Sequence, residues 1–150
     1  MDTRLKGDVA EQAAILKILQ LGWAALRPIG DRLPYDLVID VKGKLVKCQV
    51  KCAWYDAHSK NYVVDVRRTK TNRRVMLRSA YTKNDFDFAL VYVPNSHIFY
   101  IFPVSVFIQF GSSIYIDILL KPKSVSEERN LLRTATRGTA SLSGLHRKKF

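Results

Sequence analysis

The sequence predicts an α/β domain, on three observations. A helix-prone run fills residues 4–21, two β-branched stretches joined through Gly43 fill residues 34–52, and aromatic or alternating segments recur from residue 61 to residue 120. The first run is rich in Ala, Leu, Ile, Gln and Lys, and Gly22 is the residue type a helix favours just past its last turn. Steps of four and seven residues from Glu11 lead to Ile15 and Ile18, so this carboxylate heads an apolar line expected to face the sheet. Periodicity alone leaves Glu11 equally readable as a solvated carboxylate, because Ala and Ile occur all round the helix.

Residues 23–27 follow as a short strand, and residues 28–34 as a loop punctuated by Pro and Gly. The next segment, through Cys52, reads as a hairpin turning at Gly43. Residues 61–67 set Tyr62, Val64 and Val66 against Val63, Asp65 and Arg67, the alternation of a strand. Residues 87–94 and 97–103 make two further strands about a turn at Pro94-Asn95-Ser96. A short helix is expected over 105–110 and a last strand over 113–120. Ser124-Val125-Ser126-Glu127 fits a capping box opening a short helix through Arg133. From about residue 134 the chain becomes a Ser/Thr/Gly-rich basic arm, appended to what is otherwise one domain spanning 1–150.

The 25 Lys and Arg against 13 Asp and Glu give a formal net charge of +12, with 47% hydrophobic residues. That balance points to a globular protein with a polyanionic partner. No run of 18 apolar residues occurs and the N-terminal segment lacks an apolar signal core, so neither a membrane span nor secretion is expected, and the cytoplasm is the expected compartment. Cys48 and Cys52 fall on one face of a strand about 13 Å apart, too far to bridge, and with 3 scattered histidines they do not make a zinc site.

Strand alternation sends Lys47, Gln49 and Lys51 one way and Cys48, Val50 and Cys52 toward the core. Gln49 and Lys51 then stand about 7 Å apart along the strand, and Asp36 opens the neighbouring strand. A carboxylate, an amide oxygen and an amine can therefore converge. Carboxylate and neutral oxygens suit a hard cation such as Mg²⁺, which takes its remaining ligands from water and phosphate.

Arg67, Arg68, Lys70, Arg73, Arg74, Arg78 and Lys83 come with no acidic residue among them. Thr69, Thr71 and Asn72 are interleaved, so the segment offers phosphate contacts and donors for base edges together. A second basic excess follows residue 120. Each cluster is also readable as a solvated surface.

Three pieces of sequence, Gly7-Asp8-Val9-Ala10-Glu11, Pro34-Tyr35-Asp36 and Gln49-Val50-Lys51, together resemble the PD-(D/E)xK nuclease superfamily. Glu11 on a helix, one turn after Gly7, is similar to the branch containing archaeal Holliday-junction resolvases. Gln-Val-Lys, with Tyr81-Thr82-Lys83-Asn84-Asp85-Phe86-Asp87-Phe88 and Tyr100-Ile101-Phe102-Pro103-Val104, is more similar to bacterial group I intron-encoded homing endonucleases of this fold. The likeness spans roughly residues 5–105. It departs from the pattern at Tyr35, inserted between Pro34 and Asp36, and at Gln49, where a second carboxylate is usual.

The resemblance implies a restriction-endonuclease-like core, a central mixed sheet flanked by helices in αβββαβ order. It further implies Asp36 as the principal ligand of Mg²⁺, with Gln49 through its side-chain oxygen, the Val50 carbonyl and Glu11 as further ligands. Lys51 would orient or help deprotonate the attacking water. The implied activity is site-specific cleavage of double-stranded DNA by a homing endonuclease, with Arg67, Arg68, Lys70, Arg73, Arg74 and Arg78 on the DNA. A junction resolvase and a catalytically inactive nucleic-acid-binding protein are the alternatives. One site per chain and two strands to cut imply a homo-oligomer, a dimer at least, with a tetramer suited to a long target. The apolar surplus of residues 86–120 is available either to such an interface or to the core.

Overall fold

A computed structural model of the chain describes residues 2–71 and 76–116. The short helix expected to start at Ser124, the C-terminal arm, residues 117–120, and Arg73 and Arg74 lie outside the described residues. In chain order the elements are α1 (Thr3–Gln20), β1 (Ala24–Leu26), β2 (Leu37–Val41), β3 (Lys44–Cys52), β4 (Trp54–Asp56), β5 (Asn61–Asp65), β6 (Arg68–Thr71), β7 (Met76–Ser79), β8 (Phe88–Val93), β9 (Ile98–Pro103), α2 (Val104–Phe107) and β10 (Ser113–Ile116).

Helix α1 starts where Asp2 accepts a hydrogen bond from the Arg4 N–H, and ends where Gly22 turns the chain at φ 78. Its buried line is Ala10, Ala14 and Ile18, which shares Ile18 with the line expected through Glu11 and otherwise runs one residue earlier. Glu11 therefore sits beside the seam, half-buried, with Ile15 packed partly against the core. Leu5, Val9, Leu16 and Leu19 lie on exposed parts of the same helix.

Five strands pair in the order β1-β2-β3-β8-β9. The β3–β8 pair is parallel and the other three pairs are antiparallel, so the central sheet is mixed. Between β2 and β3, Lys42 and Gly43 both take positive φ, 54 and 85, the requirement of a tight two-residue hairpin turn, and the Asp40 carboxylate accepts from the Gly43 N–H at 2.7 Å.

Each face of this sheet has its own core. On the α1 side, Leu37, Ile39, Val46, Cys48, Val50, Leu90 and Tyr92 meet Ala10, Ala14 and Ile18. On the other, Ala89, Val91, Val93, Tyr100 and Phe102 meet Tyr62, Val64, Val66, Phe107, Ile114 and Ile116. Strand β8 is thus apolar on both faces, as a strand buried between two layers must be. Most of the apolar surplus of residues 86–116 goes into these cores, while Phe110 and Tyr115 stay exposed.

The second layer corrects the expected αβββαβ order. A parallel pair needs a crossover, and among its described residues this one is made of strands β4 to β7 rather than a helix. The period-two pattern of residues 61–67 favours a strand, and β5 pairs with β10 on one side and β4 on the other. Strands β6 and β7 form a separate two-stranded ribbon. The face is completed by α2, a single turn carrying the fully buried Phe107.

Candidate active site

The register that pairs Leu37 with Cys48 places Asp36 across from Gln49, and the Asp36 N–H donates to the Cys48 carbonyl at 3.0 Å. From there the Asp36 carboxylate turns onto β3. Its Oδ2 accepts from the Val50 N–H at 2.8 Å and from Gln49 Nε2 at 2.5 Å. Gln49 Nε2 also donates to the Val50 carbonyl at 3.2 Å. Gln49 is 8% exposed and is the one buried polar side chain among the described residues. Both donors of its amide are thereby satisfied, as burial demands.

Two residues along the same face, Lys51 Nζ donates to the Arg67 carbonyl at 2.8 Å and lies 5.2 Å from the centre of the Tyr81 ring. Tyr81 is held edge-on against Phe86, at 5.1 Å between ring centres, and tilted against Phe107 at 6.4 Å. The aromatic cluster thus fixes the ring that faces the amine. Glu11 reaches the same region from α1 and forms an ion pair with Arg27, just beyond β1.

Glu11, Asp36, Gln49 and Lys51 line one cavity of about 660 Å³. Pro28 and residues 30–33 form one wall and β6, β7 and Tyr81 the other. Asp36, Gln49 and Lys51 converge as the strand period predicts, with the Val50 carbonyl beside them. The sequence reading missed Arg27, Arg32 and Tyr81 in this cavity. For Arg27 the only signal was the alternation of β1, which puts it on the side of Ala25; for Tyr81 there was none beyond its place in the family-like segment.

Among the described residues of the cationic segment, two arginine side chains are tied to the protein itself. Arg68 Nη2 donates to the carbonyls of Arg32 at 2.9 Å and Leu33 at 3.0 Å, so it ties the cavity wall in place. Arg78 pairs with Asp65 at 2.5 Å, and Arg67 takes part through its backbone. Lys70 lies on β6.

Burial pushes the Asp36 carboxyl above its usual range, against the Val50 N–H and the charges of Lys51, Arg27 and Arg68. Glu11 is raised for the same first reason and by Asp36, with Arg27 opposing. Burial lowers Lys51, while Asp65 and Asp36 pull it back up. Two carboxylates are therefore held in a place that resists negative charge, next to an amine that gives up its proton more readily than usual.

No set of three His, Cys, Asp or Glu side chains arranged to hold a metal occurs among the described residues. A cation here would rely on neutral oxygens as well. The donor set fits one. Asp36 Oδ2 and the Val50 carbonyl already converge on the NH₂ end of the Gln49 amide, the positive end of a dipole. Half a turn of that amide brings its oxygen to the same point, giving a carboxylate, an amide oxygen and a backbone carbonyl, the oxygen ligands of a hard cation.

A family model described as PD-(D/E)XK endonuclease matches residues 1–136. Among solved structures, the bacterial homing endonuclease I-Ssp6803I is similar at 46% identity and a TM-score of 0.77, with 94% of this chain and 100% of that chain covered. No curated protein matches the chain.

Proposed function

The chain belongs to the PD-(D/E)XK endonuclease family, and on that premise we propose that it is a homing-type endonuclease making site-specific double-strand breaks in DNA with Mg²⁺. One observation carries the reading: the Asp36 carboxylate, the Gln49 amide and the Val50 carbonyl meet at one point, with the Lys51 amine on the same strand face. The likeness to a homing endonuclease over nearly the whole chain supports the homing assignment.

In this reading Asp36, Gln49 through its oxygen, the Val50 carbonyl and Glu11 hold the cation. When bound, the cation supplies positive charge to the pentacoordinate phosphate and to the departing 3′ oxygen and makes water more acidic. Lys51 lines the cavity with Asp36 and Gln49, and in this reading it is the group that meets the attacking water. Burial shifts its amine toward the neutral form, which accepts the water's proton as the new P–O bond forms; the P–O3′ bond breaks and the departing 3′ oxygen takes a proton from solvent. Its place over the Tyr81 ring and against the Arg67 carbonyl restricts the directions it samples. Gln49 brings no charge, so Glu11 joins Asp36 in balancing the cation. One such centre per chain cuts one strand, which makes a two-fold symmetric homo-oligomer on duplex DNA the working form.

Incubation with Mg²⁺ and either long linear duplex or a synthetic four-way junction tests this. Breaks of both strands at fixed positions in the duplex are expected. Nicking confined to the junction would replace the reading with a resolvase, and an intact duplex and junction would replace it with a binding protein.

A further inference from the structure

Arg27 leaves β1 on the side that carries Ala25, which packs against the α1 core, and this brings its guanidinium to the Glu11 carboxylate. The pair lies at the rim of the cavity, with the Arg27 side chain 51% exposed and that of Glu11 23%. The cavity's other tethered cations have partners with nowhere else to go. Arg68 holds backbone carbonyls and Lys51 holds another, contacts that belong to the fold. Arg27 instead holds a side chain whose second use is to receive a divalent cation. Glu11 and Asp36 repel one another and Arg27 attracts both, so it supplies at Glu11 the positive charge that a cation would bring. A guanidinium fork fits phosphate as well as it fits carboxylate.

We propose that Arg27 is a phosphate-holding residue of the reaction, kept on Glu11 until a divalent cation takes that carboxylate and then passed to a backbone phosphate of the duplex. The proposal rests on the nuclease reading above. It couples the two binding events: cation at Glu11 frees one positive charge for DNA, and a phosphate on Arg27 frees Glu11 for the cation. The coupling is reciprocal.

The test is the salt dependence of binding to a short duplex that the protein does not cut, with EDTA or with Ca²⁺, a hard cation that takes the same oxygen ligands. In wild type, Ca²⁺ should steepen the log–log slope by about one unit, a change of roughly threefold to fourfold in affinity between 50 and 200 mM salt. Arg27→Ala should bind as wild type does in EDTA and show no added slope in Ca²⁺. Glu11→Ala should already have the steeper slope in EDTA, and Arg27→Ala should remove it. Arg27→Lys, which keeps a single charge, should keep the Ca²⁺ response. Equal slopes with and without Ca²⁺ in wild type, or the same effect of Glu11→Ala in both Arg27 backgrounds, would overturn the proposal. So would a fall in melting temperature of Arg27→Ala that Arg27→Lys shares while its Ca²⁺ response is lost, because the pair would then serve the fold. These slopes are read without cutting, so a wild-type protein that cleaves neither duplex nor junction removes the nuclease reading and still leaves Arg27 to be judged.

Discussion

The fold holds Asp36 at an electrostatic expense. Burial favours its protonated form, and the Val50 N–H, Lys51, Arg27 and Arg68 offset that only in part. The folded chain thus binds this proton more tightly than the unfolded chain does, so stability falls as pH rises from the ordinary carboxylate value through the raised one. Asp36→Asn keeps the acceptor for Val50 and removes the charge. It should raise the melting temperature of the cation-free protein at neutral pH, with the gain vanishing as pH drops below the ordinary carboxylate range. Melting curves in EDTA across pH 3 to 8 check this, and a gap that stays constant with pH would mean that charge is not its source. Asp36, Gln49 and Lys51 were legible in the sequence because strand alternation and a hairpin register are short-range rules. Arg27 and Tyr81 were not, since each reaches the site from an element whose placement depends on tertiary packing. Glu11 was legible as a candidate: Ile18 of its line is buried and Ile15 packs on the core, while the other buried positions, Ala10 and Ala14, lie one residue earlier, a detail periodicity could not resolve with alanine and isoleucine all round the helix.

Among the elements, α1, β1 to β3, β5, β8 and β9 stand close to where periodicity and turn residues placed them. The β6–β7 ribbon was hidden because its charge, rather than any alternation, dominates the segment, and β4 because three residues give no measurable period. The crossover helix that the family likeness implied is replaced by strands, and this has a functional consequence. Tyr81, beyond the ribbon, is locked by Phe86 and by Phe107 of α2, so the support under Lys51 is an aromatic cluster and not a helix face. Phe107→Ala should then cost about 3–5 kcal/mol of stability, as loss of a fully buried ring does. It should also slow cutting at temperatures where the variant is still folded. Urea unfolding and single-turnover cleavage measure the two effects; a destabilised variant that cuts at the wild-type rate would detach the cluster from the site.

For the whole molecule, the net charge of +12 comes from 25 Lys and Arg running from Arg4 to Lys149 along the sequence, many more than line one cavity. Attraction to DNA of this kind is collective and independent of any single site residue. The chemistry is local. Binding and cutting should therefore separate under substitution, and this distinction tests the account most directly. Cleavage of a duplex containing the target and affinity for the same duplex should be measured side by side for Asp36→Ala and Lys51→Ala. Cleavage should fall by roughly 10² or more for each, the scale of losing a group that acts on the reacting atoms, with affinity within about twofold of wild type. Cleavage that persists near the wild-type rate, or affinity and cleavage that fall together, would contradict it.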